Sequence, residues 1–156
     1  ATGIGFESGA LPNPVFESFD NTLNFNYGGG FGAPPHTIYL KNSQIFYATV
    51  STNTGYDITI NIVGDASTSL NSLLAVGKSM TFSIIVPQDS QYGRSVIRTL
   101  TIDDGNPGLS VNVRWTNPSL SAGEYGTADM YSFSVLKTAE NTFNVFASLS
   151  NAAQIV

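Results

Sequence analysis

Few residues in this chain could carry catalysis. His36 is its single histidine and it has no cysteine, so a Ser-His-Asp triad would have to use His36 and a metal would have to be held by oxygen ligands. His36 follows two prolines, and no nucleophile-elbow motif is present in the sequence. A solitary surface histidine is usually inert. We therefore assign no catalytic residue from these residue types.

Carboxylates are the second group of candidates. Asp103, Asp104 and Asn106 stand close together in one turn and offer oxygen atoms to a cation such as Ca²⁺. Their spacing fits no calcium loop, and these residue types favour turns for backbone reasons alone. A carboxylate pair for glycoside hydrolysis would meet only in the fold. We expect neither a metal nor a cofactor, and a hydrolase is the least favoured function class.

Aromatic side chains in loops could stack on sugar rings. Tyr92 and Tyr125 fall in loop sequences and are the candidate ligand contacts. Trp115, in contrast, is in phase with the apolar positions of the alternating run 109–116, so we interpret it as a core residue.

Composition excludes several classes of partner. Only 11% of the residues are charged, the formal net charge is −5, and the six basic residues are spread singly. Without a basic patch, binding of nucleic acid through phosphate neutralisation is not expected. The apolar runs are too short to span a membrane, and the N-terminus as given has no secretory signal pattern.

Alternating apolar and polar residues dominate the chain from residue 37 onward. The clearest runs lie within 109–149, and turn residues separate nine or ten short stretches of this kind. The alternation predicts a sheet with one wet face and one dry face, and the loop 138–141 is predicted to close a hairpin. The stretch 67–75 is ambiguous, since it could form a helical turn that Gly77 ends. The pattern predicts an all-β protein, an antiparallel β-sandwich of jelly-roll or immunoglobulin-like topology, over residues 37–156.

Residues 1–36 differ from this domain because they are rich in glycine, proline and phenylalanine and contain no lysine or arginine. They predict an extended N-terminal arm and hinge that docks on its own domain or on a neighbour. The phenylalanines expected to make the contact are Phe6, Phe16, Phe19 and Phe25. An ordinary first strand at 23–27 is the alternative.

An ordered set of short motifs gives the sequence its most specific signal. In chain order these are LNSLL (70–74), GKS (77–79), ID (102–103), VRW (113–115), SAG (121–123), DMYSF (129–133), KTA (137–139) and TFNVFAS (142–148). Their order and spacing over 57–148 resemble the C-terminal module of virion structural proteins of tailed phages, notably those of cyanobacteria and marine bacteria. The chain departs from that pattern at 116–118 and at 93–95, and both departures fall in loops.

The resemblance implies a non-enzymatic virion protein. The expected role is capsid decoration, with attachment through the N-terminal arm to other virion proteins such as the major capsid protein. A tail or fibre component that binds a receptor or a host-surface glycan is the alternative. Such modules also imply self-association, with a homotrimer expected.

Overall fold

The computed structural model describes residues 17–25, 35–49, 57–89 and 95–152. Within them the chain forms eight strands, one α-helical turn and one 3-10 turn. In chain order the elements are β1 (His36–Tyr39), β2 (Ile45–Tyr47), β3 (Asp57–Val63), α1 (Leu70–Leu73), β4 (Ser79–Pro87), β5 (Val96–Ile102), the 3-10 turn (Asp103–Gly105), β6 (Ser110–Trp115), β7 (Ala128–Ala139) and β8 (Thr142–Ala152).

Two sheets enclose the core, which confirms the predicted all-β, sandwich-like class. One sheet has three strands in the order β1-β3-β5, and the other has five in the order β2-β4-β7-β8-β6. The expectation of antiparallel pairing holds only for β4 with β7 and β7 with β8. The remaining pairs are parallel.

The parallel pairs follow from the path of the chain. From β1 to β6 successive strands alternate between the two sheets, so the parallel pairs β1–β3, β2–β4 and β3–β5 are each joined through a strand of the other sheet and not by a hairpin. Strands joined by such a crossover can run in the same direction. The fourth parallel pair, β6 with β8, is joined through β7 of the same sheet. Alternation of side chains reports which face is buried but carries no information on strand direction, and for this reason the sequence predicted the class and not the pairing.

Aromatic side chains fill the space between the sheets. Phe82 stacks on Phe133 with ring centroids 4.8 Å apart, and Phe133 is stacked with Tyr131 at 6.3 Å. Trp115 is half-buried and presents its edge to Tyr131 and Phe133 at 6.2 and 5.9 Å. Its interpretation as a residue of the core face is therefore confirmed.

The ambiguous stretch 67–75 contains the helical turn α1, which is held at both ends. The Asp103 carboxylate accepts hydrogen bonds from the backbone N–H groups of Leu70 (2.6 Å) and Asn71 (2.9 Å), which a short helix leaves without partners of its own. The buried Lys137 ammonium donates to the Asn71 carbonyl at 2.7 Å. Residues distant in sequence thus add to the local cap, in which Ser69 Oγ accepts from the Ser72 N–H at 3.1 Å.

The loop after β7 forms the predicted hairpin. Asn141 adopts a positive φ of 55°, a conformation that asparagine tolerates better than most residues, and β8 then pairs antiparallel with β7.

The helical part of the described structure consists of two short turns, and neither has the length and apolar character of a membrane-spanning helix.

Candidate functional site

Residues 17–25, called the N-terminal segment below, lie along the edge of the five-stranded sheet. Backbone bridges pair this segment in parallel with β2 and with Thr49 just beyond it. The N–H of Asp20 donates to the Ile45 carbonyl at 2.8 Å, and the N–H of Tyr47 donates to the Asp20 carbonyl at 2.8 Å. Further along, the N–H of Phe25 donates to the Thr49 carbonyl at 2.9 Å. The segment therefore covers an edge that would otherwise present unpaired backbone groups.

The phenylalanines predicted to dock the arm fall in three different situations. Phe25 is fully buried, 0% exposed, and meets the His36 ring edge-on with centroids 4.7 Å apart. Phe19 is 58% exposed and lies at the surface with its ring 6.4 Å from that of Tyr47. Phe6 and Phe16 lie outside the described residues. In the described part of the chain, docking on its own domain is thus carried by Phe25.

A cavity of about 290 Å³ lies between the N-terminal segment and the sheets. Hydrogen bonds from the Thr22 hydroxyl and N–H hold the pKa of Asp20 below its usual range, and burial lowers the pKa of His36. At neutral pH the cavity therefore combines an ionised carboxylate with a neutral imidazole, an arrangement that could hold a small polar ligand. Its lining residues are Asp20, Thr22, Leu23, Asn24, His36, Thr37, Ile38, Tyr39 and Phe46.

Acidification should weaken this part of the fold. Because burial lowers the pKa of His36 below 6.5, the unfolded chain binds a proton there at a higher pH than the folded chain does. The free energy of unfolding should therefore fall as the pH drops below 6.5 and level off below the folded-state pKa. The lowered pKa of Asp20 contributes stability that is complete above 3.8 and is lost only at lower pH. The His36 effect therefore sets in at a higher pH than the Asp20 effect.

Urea unfolding at about pH 7.5 and about pH 5.5 would measure the effect of His36. The signal is the fluorescence of Trp115, the single tryptophan of the chain. A His36→Gln variant, which cannot titrate, should lose most of the difference between the two pH values. An unchanged difference in this variant would contradict the assignment to His36.

Of the two tyrosines predicted to contact a ligand, one lies among the described residues. Tyr125 is 57% exposed in the loop between β6 and β7. Tyr92 lies outside the described residues. The structure thus supports an accessible aromatic ring at one of the two predicted positions.

A buried carboxylate holds the loop that carries Tyr125, and sequence reasoning missed it. Asp129 is 0% exposed. Its oxygens accept hydrogen bonds from Gln88 Nε2 (2.9 Å), from the Gly123 N–H (3.0 Å to each oxygen) and from Asn151 Nδ2 (2.7 Å). A Cβ on Gly123 would lie 2.5 Å from Asp129 Oδ1, so the loop can approach this closely only with glycine there. The available signal was that Asp129 is in phase with the inward-facing Tyr131 and Phe133.

The acidic turn after β5 supports the fold. Both oxygens of Asp103 accept from the start of α1. Asp104 Oδ1 accepts from Asn61 Nδ2 at 2.8 Å, and the N–H of Asp104 donates to Asn61 Oδ1 at 2.8 Å. Asn106 Oδ1 accepts from the Gly108 N–H at 2.9 Å. Each of the three residues considered for a cation therefore has at least one side-chain oxygen that accepts from a backbone or amide donor. No group of three potential metal ligands occurs among the described residues.

The side of the five-stranded sheet turned away from the core, called the outer face below, carries an unusual set of residues. Its bulky side chains are apolar and its small ones are mostly serine, and Arg114 is the single charged residue at the outward positions of these five strands. Sequence reasoning treated these positions as an ordinary solvated face. The bulky residues are Ile45, Tyr47, Ile85, Met130, Leu136 and Phe146.

Comparison of the chain with protein-family models, with curated proteins and with solved structures finds no match.

Proposed function

We propose that the protein is a non-enzymatic structural protein of a phage virion, attached to the capsid as a decoration protein through its N-terminal arm. Its partners would be further copies of itself and other virion proteins such as the major capsid protein. The jelly-roll or immunoglobulin-like type of the sandwich and the homotrimeric state stay predictions. The proposal rests on the motif resemblance and on how the N-terminal segment is attached.

The motif residues support a structural role because their polar groups serve the fold. Asp103 and Lys137, from two different motifs, hydrogen-bond the two ends of α1, itself the LNSLL motif. Asp129 and Gly123, from two others, bond each other at the end of the sandwich. A set of motifs that builds one scaffold is typical of a module repeated for assembly.

The observation that carries the proposal is the attachment of the N-terminal segment. Its C-terminal end is anchored by the buried Phe25 and by backbone bonds to the β2 edge, while Phe19, earlier in the chain, is exposed. The first described residues, 17–19, are therefore exposed at the surface of the domain, where a second protein could be reached. Strand addition at a sheet edge is a common means of attachment in assemblies.

Particle binding tests the proposal. Virions of the phage that encodes the chain, prepared without it, would be mixed with the full chain and with a variant lacking residues 1–16, and occupancy measured by quantitative electron microscopy. The deletion keeps all the described contacts of Phe25, so the domain should stay folded by circular dichroism. We expect the full chain to decorate the shell and the deletion to lower its affinity by about tenfold or more, since one tenfold step needs only about 1.4 kcal/mol.

A Phe19→Ala variant is a second variant for the same binding experiment. Phe19 is exposed, and its loss leaves the anchoring at Phe25 intact. Absence of the chain from authentic virions would overturn the virion role. Full decoration by the deletion variant would overturn attachment through the arm.

The exposed Tyr125 favours one alternative, a tail or fibre component that binds a host-surface glycan. An array of immobilised glycans probed with the full chain, with Tyr125→Phe and with Tyr125→Ala would separate ring stacking from other contacts. Stacking requires binding to survive in Tyr125→Phe and to be lost in Tyr125→Ala. No binding by the full chain would remove this alternative.

A further inference from the structure

We propose that the outer face of the five-stranded sheet is a self-association surface that binds the same face of a second copy of this chain. This inference does not rest on the proposed virion role. It follows from the shape, the charge and the area of the face.

The outer face has a ridge next to a shallow groove. Strand register places Tyr47, Ile85 and Met130 side by side across β2, β4 and β7. Tyr47 and Met130 are 45% and 43% exposed. The adjacent register row begins with Ile45 on β2 and continues with three small residues, Ser83, Ser132 and Ser148, on β4, β7 and β8. An apolar ridge beside a row of small residues is self-complementary, because a two-fold axis can place the ridge of each copy in the groove of the other.

The charge distribution favours a second copy over a different partner. The chain carries a formal net charge of −5, yet no carboxylate occupies an outward position on these five strands. Two copies can therefore approach through this face without the repulsion that their acidic surfaces would produce. A partner selected by charge would find one cation, Arg114, at the β6 edge. Exposed tyrosine, methionine and phenylalanine are typical of interface centres, whereas charged residues are depleted there.

The size of the face matches what a stable contact requires. Strands lie about 4.8 Å apart and rise about 3.3 Å per residue, so five strands the length of β4, with its nine residues, present roughly 700 Å². A standard interface takes about 800 Å² from each partner. Face-to-face packing has two-fold symmetry and so makes a dimer, whereas the expected trimer would need a different contact.

Sedimentation and light scattering of the full chain over roughly micromolar to 100 µM concentrations test the inference, a range in which standard-size contacts are populated. We expect a dimer. Met130→Glu places a carboxylate in the ridge and should raise the dissociation constant by about 30-fold or more, as loss of an interface hot spot does. Leu73→Glu is the matched control, since Leu73 is 44% exposed on α1, away from the outer face, and this variant should dimerise normally.

A cysteine variant keeps the inference testable if the glutamate variant does not fold. Ser132 lies on the central strand of the sheet and the chain has no cysteine of its own, so two copies of Ser132→Cys should be cross-linked by a bifunctional thiol reagent longer than the roughly 10 Å between packed sheets. Ser119→Cys, exposed in the loop before β7, should not. The proposal would be overturned if the wild-type chain were a monomer at about 100 µM, a concentration at which even weak specific contacts form. It would also be overturned by an oligomer that Met130→Glu does not affect and that is not cross-linked through Ser132→Cys.

Discussion

Replacing Asp129 by alanine should cost about 2–5 kcal/mol of the free energy of unfolding, because buried hydrogen-bond donors would lose their acceptor. The carboxylate is fully buried and accepts hydrogen bonds from Gln88, Gly123 and Asn151. Alanine would leave the buried Gly123 N–H without this acceptor and Gln88 Nε2 with the Ser95 carbonyl alone, and each such loss costs about 1–3 kcal/mol. Asn151 is exposed and still donates to the Ser121 carbonyl. Domains of this kind are stable by only about 5–15 kcal/mol, so a large share of the total would be lost.

Urea unfolding followed by Trp115 fluorescence measures this loss. Asp89→Ala is the matched control because it removes an exposed carboxylate, and it should change the free energy of unfolding by no more than about 0.5 kcal/mol. Asp129→Asn keeps one accepting oxygen but brings an NH₂ group against donors, so its cost should fall between those of the two alanine variants. A loss below about 1 kcal/mol in Asp129→Ala would show that the positions of Gln88, Gly123 and Asn151 do not depend on this carboxylate.

Replacing Phe25 by alanine should cost a similar amount, about 3–5 kcal/mol, because a fully buried phenylalanine side chain would be replaced by a cavity. The loss falls on the contact between the N-terminal segment and the sheet, where the Phe25 ring meets His36. We therefore expect the segment to detach before the domain unfolds. Detachment would appear as early proteolytic cleavage within residues 17–25 in native buffer.

The same segment supplies the control for this variant. Phe19→Ala removes an identical side chain that is 58% exposed, so it should change the free energy of unfolding by no more than about 0.5 kcal/mol and leave the cleavage rate unchanged. Equal effects of the two alanine variants would contradict the distinct roles assigned to Phe19 and Phe25. If Phe25→Ala proved as stable as the wild type, intramolecular docking of the segment would be wrong.

Much of the fold could be predicted because period-two alternation is a local property of the chain. Phe82, Tyr131, Phe133 and Val145 all occupy inward positions that their neighbours in sequence indicate. Burial of one face of a sheet requires this pattern whatever the topology, so class, strand positions and the β7–β8 hairpin could be read directly. The helical turn α1 could not, because Asp103 and Lys137, which hold its ends, are far away in sequence.

The sequence by itself determined an all-β protein with a dry interior, a low charge and an N-terminal stretch unlike the rest. Only the tertiary structure decided which strands are parallel, that Phe25 is buried while Phe19 is exposed, that Asp129 closes one end of the sandwich, and that the outer face is apolar and nearly uncharged. The physical reason is the same in each case. These features depend on contacts between residues distant along the chain, and such contacts leave no periodic trace in any one segment.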